Sequence, residues 1–162
     1  MLTEERLKQL LTYDPETGLF TWKVDKKSAK KGSVCGNNTV QPYIEVHIDG
    51  TKYLAHRLAF LYQTGRLPQN IIDHINGNGR DNRFTNLRVA TTSQNAMNKR
   101  KSRNSSTGVK NVTFRKDRGK YAVIVEVNGK GKSFGHHETL ELAELVAHYA
   151  RESVHKEFAK ND

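Results

Sequence analysis

A single cysteine, Cys35, stands in the 162 residues, which excludes an internal disulfide and any thiolate-rich zinc site. That scarcity suits a reducing compartment. No apolar run approaches the roughly 20 residues that span a bilayer, and Met1-Leu2-Thr3-Glu4-Glu5 lacks the charged and apolar regions of a signal peptide. A soluble, intracellular protein with no membrane partner is expected. Acid is the other shortage: 17 Asp and Glu face 27 Lys and Arg, for a net charge of +10. Such an excess makes a polyanion the first partner to consider. A chain of this length forms one compact domain or two small ones, and small cores are expected either way.

What is present reads as alternating short elements. Thr3 can cap a first helix, with Glu4 and Glu5 at its positive end and Leu7, Leu10 and Leu11 on one face. Tyr13-Asp14-Pro15-Glu16-Thr17-Gly18 is a turn that leads to a strand in which Phe20, Trp22 and Val24 alternate with polar residues. Lys26-Lys27-Ser28-Ala29-Lys30-Lys31-Gly32 is a basic loop, open to two readings: a solvated loop or a phosphate contact. Residues 43–54 carry the alternation of a hairpin, with Asp49-Gly50 suited to a type I′ turn. A helix with Leu54, Leu58, Leu61 and Tyr62 on one face ends at Gly65, and His56 on it reads as a packed residue before it reads as an active-site one.

Beyond Lys99 a polar, basic stretch over 100–108 reads as a linker. The pattern then restarts. Strands are expected over 109–114, 121–127 and 132–134, with turns at 116–119 and at Asn128-Gly129. A closing helix is capped by Thr139, with Leu142, Leu145, Val146, Tyr149, Ala150, Ser153 and Val154 on the face expected to meet the sheet. The fold class expected is α+β.

Residues 71–99 concentrate the chemistry. A short strand ends in Asp73-His74, a polar loop follows, then a second strand at Leu87-Arg88-Val89 and a helix holding Asn95. Asp73-His74-Ile75-Asn76-Gly77, Asp81-Asn82-Arg83, Asn86-Leu87-Arg88 and Gln94-Asn95 resemble, in order and spacing, the HNH motif of phage and intron-encoded homing endonucleases. Ala55-His56-Arg57-Leu58-Ala59 resembles phage nucleases of this kind as well. The resemblance implies a ββα-metal nuclease domain, cleavage of double-stranded DNA to 5′-phosphate and 3′-hydroxyl ends, and residence in the cytoplasm of a bacterial host if the gene is phage-borne. It also implies that Asn86 holds the histidine ring by its other nitrogen.

Phosphodiester hydrolysis needs an activated water and positive charge beside the developing oxyanion. A neutral imidazole can take the water's proton, which makes His74 the candidate general base. Asp73 and Asn95 offer hard oxygens, the donor set of Mg²⁺ or Mn²⁺ and not of a structural zinc. Arg83 and Arg88 flank the motif and suit phosphate contact through the guanidinium fork. Lys99, Arg100, Lys101 and Arg103 extend the basic stretch.

The tail carries a second resemblance. Thr107-Gly108-Val109, Asn111-Val112, Gly119-Lys120-Tyr121-Ala122, Phe134-Gly135, Leu142-Ala143 and Glu157-Phe158-Ala159 are similar to the plant ethylene-response-factor (Apetala-type) DNA-binding domain. In that family a three-stranded antiparallel sheet, braced by one helix, lies in the major groove. Carried over, Thr113, Arg115, Lys120 and Tyr121 would face DNA, while Ile124 and Glu126 depart from the plant pattern. The organisation expected is a nuclease domain over 1–99, strand-rich over 1–54 with the motif at 71–99, then a basic linker over 100–108 and a DNA-binding domain over 109–162. A non-catalytic DNA-binding regulator and an RNA-directed nuclease are the alternative readings. No protein partner is implied.

Overall fold

A computed structural model describes residues 2–38, 42–98 and 105–159. It is α+β, in two compact units, Met1–Ala90 and Thr91–Asp162.

The first unit opens with α1 (Glu4–Leu10), where Thr3 accepts a hydrogen bond from the Arg6 amide at 3.2 Å. Leu11 is already extended and starts β1 (Leu11–Tyr13), so the apolar run expected on one helical face is shared between helix and strand. β1 pairs with β2 (Phe20–Trp22), and β2 with β3 (Val34–Cys35). The β2 strand stops at Trp22, which leaves Val24 exposed instead of inward. Next, β4 (Asn37–Asn38), β5 (Ile44–Ile48) and β6 (Thr51–Leu54) form a second sheet. The Asp49-Gly50 turn of its hairpin has both φ values positive, +47° and +78°, as a type I′ turn requires. β6 runs directly into α2 (Ala55–Thr64), closed by Gly65 at φ +73°. Leu7, Leu11, Phe20, Ile48, Leu58 and Ala59 are fully enclosed in the core between these layers. The antiparallel pair β7 (Ile71–His74) and β8 (Leu87–Ala90) completes the unit.

The second unit begins with α3 (Thr92–Met97), whose Thr91 and Gln94 form a reciprocal capping box. Its sheet has the order β11-β10-β9, from β9 (Val112–Arg115), β10 (Lys120–Val127) and β11 (Lys130–His137). Asn111, at φ +67°, keeps 109–111 out of the first strand. The helix α4 (Leu140–His155) is capped by Thr139 as expected, and of its expected inward face Ala150 is buried with Val146 and Val154 packed beside it, while the bulkier residues turn away. Ala143, Ala147 and Ala150 pack on Val112, Val123 and Val125, while Leu142, Leu145 and Tyr149 are 46%, 52% and 62% exposed. A line of alanines lets the helix lie close on the sheet. Apolarity alone favoured the bulkier line about 100° round the helix.

The expected first-domain boundary at Lys99 and linker over 100–108 sit differently from this division, which puts α3 in the second unit. Residues 99–104 lie outside the described residues.

Candidate active site

Asp73 and His74 occupy the last two positions of β7, and both are 5% exposed. Neighbouring residues of a strand point to opposite faces, so two buried polar side chains in succession need partners on both sides. Asp73 faces its cross-strand mate Arg88, whose Nε donates to Asp73 Oδ2 at 2.9 Å. His74 Nε2 lies 3.2 Å from Asn82 Oδ1. An acceptor oxygen there calls for the proton on Nε2 and the lone pair on Nδ1.

The loop between the strands is held by its own side chains. The His74 carbonyl accepts from Gly77 N, and Asn76 Oδ1 accepts from Asn78 N in an Asx turn. Asn76 Nδ2 donates to Asp81 Oδ2 at 2.8 Å, and Arg83 makes a two-pronged bond to the same carboxylate. That guanidinium, with the Asn76 amide, holds the Asp81 carboxyl down at about 2. Asn86 accepts from Asn76 N and donates to Asn76 Oδ1 and to the Asp81 carbonyl. The β1–β2 turn supports this loop from outside: Tyr13 Oη donates to the Asn82 carbonyl at 2.7 Å, and Phe84 N donates to the Pro15 carbonyl at 3.0 Å. A Cβ on Gly18 would overlap the backbone of Asn82 and Arg83, which explains the glycine there.

Aromatic rings close the other side of His74. The His56 ring stands at 85° to it with centroids 5.0 Å apart, and Tyr43 lies 5.4 Å from His56 and 6.0 Å from His74. Burial pushes the His56 imidazolium down to about 3, helped by His74 and Arg57. Burial likewise lowers the His74 pKa, against the opposing pull of Asn82, Asp73 and Asp81. Both rings are therefore neutral near pH 7, the state a proton acceptor requires.

The expected residues divide accordingly. Asp73, His74 and Asn86 come together, but Asn86 braces the loop and Asn82 takes the ring position expected of it. Both amide atoms of Asn86 are spent on backbone and side chains of 76–81, which is the physical reason. Arg88, expected on phosphate, is only 16% exposed at its side chain and paired with Asp73; Arg83 is half-exposed and paired with Asp81. Asn95 is half-buried on α3 in the second unit. Lys99, Arg100, Lys101 and Arg103 lie outside the described residues. Thr113, Arg115 and Lys120 share the sheet face away from α4, since Thr113 pairs with Ala122 and Arg115 with Lys120. Tyr121 does not: it shares the face of Val123, stacks on Phe114 at 5.0 Å and packs against the core. Among the described residues no three His, Cys, Asp or Glu side chains gather as a metal cage. Nor is any helix among them long and apolar enough to cross a membrane.

Residues 53–97, which include β7, the loop, β8 and α3, match the family model described as HNH endonuclease. Protein 3.8 of Escherichia phage T7 is 30% identical over 97 residues, covering 59% of this chain and 79% of that protein. The chain belongs to the family of phage T7 protein 3.8 and carries an HNH endonuclease domain. No solved structure matches it. Asp73, His74, Asn82, Asn86 and Arg88 all fall inside the matched stretch, as does His56. An HNH endonuclease domain implies a DNA substrate and nuclease chemistry. Asn82 as the ring partner is not legible in the sequence, because four asparagines in one polar loop, Asn76, Asn78, Asn82 and Asn86, carry nothing that ranks them.

Proposed function

We propose that the protein is a metal-dependent, homing-type endonuclease that hydrolyses double-stranded DNA, with His74 as general base in a ββα-metal site. The observation that carries this reading is the buried Asp73-His74 pair, its imidazole neutral and tethered by Asn82, within the HNH match. His74 accepts a proton from the attacking water; Asn82 fixes the tautomer, and Asn86 keeps the loop in shape around it. Asp73 and Asn95 would hold one Mg²⁺ or Mn²⁺, a reading supported by their chemistry, since both offer the hard oxygens that such ions take. Such an ion supplies charge stabilisation at the leaving 3′ oxygen. Arg88 orients the Asp73 carboxylate. Products would carry 5′-phosphate and 3′-hydroxyl ends.

In this reading the second unit binds DNA as an Apetala-like module through the face bearing Thr113, Arg115 and Lys120, with Lys99, Arg100, Lys101 and Arg103 adding phosphate contacts. Arg83, half-exposed, would meet a phosphate only by giving up Asp81, whose side chain is 14% exposed and keeps the Asn76 amide as a partner. The test is cleavage of supercoiled plasmid by wild type and His74→Ala with Mg²⁺, with Mn²⁺ and with chelator. Metal-dependent nicking or cutting, lost in the variant while DNA binding persists, is expected. Tight binding without cleavage under any metal would replace the nuclease with a DNA-binding regulator.

A further inference from the structure

We infer that the loop between β2 and β3 is a DNA anchor of the first unit, in which Lys27, Lys30 and Lys31 hold phosphates of the substrate duplex. The inference rests on the reading of duplex DNA as substrate. Two observations favour it over a merely solvated loop. The first is that these charges are not neutralised. Lys27, Lys30 and Lys31 are exposed, and none of them forms an ion pair among the described residues. Arg6, Lys8, Lys52 and Arg83 of the same unit each have a carboxylate. The only carboxylate in the loop, Asp25, accepts from the Lys31 amide at 2.9 Å and so shapes the backbone instead of pairing with an ammonium. Like charges this close in the chain repel one another, and a polyanion relieves that repulsion.

The second observation is the frame beneath the lysines. Lys26 and Ala29 exchange amide-to-carbonyl bonds in both directions, at 2.7 and 3.2 Å, which puts Lys27 and Ser28 at the tip of a tight turn. The Lys30 carbonyl accepts from both the amide and the hydroxyl of Ser33, and Gly32 N donates to the Trp22 carbonyl at 2.7 Å. Lys26 itself is spent as an anchor: its ammonium lies 3.9 Å from the centre of the Trp22 ring and donates to the His47 carbonyl at 3.3 Å. Lysines carried on a backbone already held in place lose less freedom on binding than lysines on a slack loop. The other end of β2 leads back to the turn that packs on the loop carrying Asn82. Gly18 and Lys27 stand nine positions apart in the chain. That span is at most about 30 Å, less than one duplex turn of about 34–36 Å, so a single duplex can meet both the anchor and the site.

The test measures the affinity of the full chain for duplex DNA in chelator, where the duplex stays uncut, as a function of salt. Lys27→Ala, Lys30→Ala and Lys31→Ala combined should lower the salt slope by about 3 and weaken binding about 100-fold at about 0.1 M salt, shrinking below about tenfold at about 0.5 M. The same three positions changed to arginine should bind as wild type does, since the charges remain. Lys8→Ala removes an ammonium already held by Glu4 at 2.6 Å and should leave the slope unchanged. The inference is overturned by a triple alanine variant whose slope falls by less than about 1, by an arginine variant as weak as the alanine one, or by a Lys8→Ala slope reduced by about 1. A loss seen on duplex RNA and not on duplex DNA overturns it as well. Binding is read here without cleavage, which keeps the two readings apart: a His74→Ala variant that still cuts removes the base and leaves the anchor in place.

Discussion

The ion pair between Asp73 and Arg88 offers a quantitative test of how the site is held. Its atoms approach to 2.9 Å, with the carboxylate 5% and the guanidinium side chain 16% exposed. Removing one partner of a buried pair costs about 3–5 kcal/mol, because the other charge stays buried without its counter-ion. Water still reaches the Arg88 side, so Arg88→Ala should fall at the lower end, about 3 kcal/mol. The same chain holds an internal control at the same distance: Arg6 and Asp49 meet at 2.9 Å with side chains 47% and 53% exposed. Arg6→Ala should cost far less, since solvent screens that pair. Urea unfolding followed by the fluorescence of Trp22, the one tryptophan and a core residue of the first unit, reads both variants. At a slope of about 2 kcal/mol/M the Arg88→Ala midpoint should drop by roughly 1.5 M. Adding Asp73→Asn to Arg88→Ala should return part of the loss, because the stranded charge is gone. If Arg88→Ala and Arg6→Ala unfold within about 1 kcal/mol of each other, burial does not strengthen this pair and the argument fails.

Asn82→Ala should slow cleavage by about 10- to 100-fold with DNA affinity unchanged, checked by single-turnover rates beside a binding titration. Asn86→Ala removes three hydrogen bonds that hold the loop and should cost about 2–3 kcal/mol, measured by the same urea titration. For His56 the folded pKa, about 3, lies below the unfolded value near 6.5, so the unfolded state binds the extra proton between them. Stability should therefore fall as pH drops from about 6.5 towards 3, at up to ~1.4 kcal/mol per pH unit, and His56→Leu should flatten that slope; a variant with the wild-type slope would refute it. Arg115→Ala and Lys120→Ala should each weaken DNA binding alike on all sequences and reduce the salt slope by about 1, whereas Tyr121→Ala should lower stability and leave the salt slope intact.

Much of this fold is legible before any coordinates, wherever a single residue's own chemistry decides the local backbone. Thr3 and Thr139 cap helices because a hydroxyl accepts from free amides at a helix start. Asp49-Gly50 and Asn128-Gly129 close hairpins because those types tolerate positive φ, and Gly65 ends α2 for the same reason. The order of Asp73, His74, Asn86 and Asn95 likewise pointed to nuclease chemistry through its resemblance to the HNH motif, and the family match covers that stretch.

Tertiary structure decided what depends on who stands opposite. Asn82 and not Asn86 meets the imidazole because the β1–β2 turn, packed through Tyr13, Pro15 and Gly18, bends the loop to that shape. Arg88 serves Asp73 because strand register makes them cross-strand mates. The alanine face of α4 turns inward because close approach to a sheet selects small side chains over bulky ones, and Tyr121 faces the core because strand register puts it on the side of Val123. Sequence by itself determines local conformation and the inventory of chemical groups; which of them share an orientation and a partner is settled only when segments distant in the chain are packed against one another.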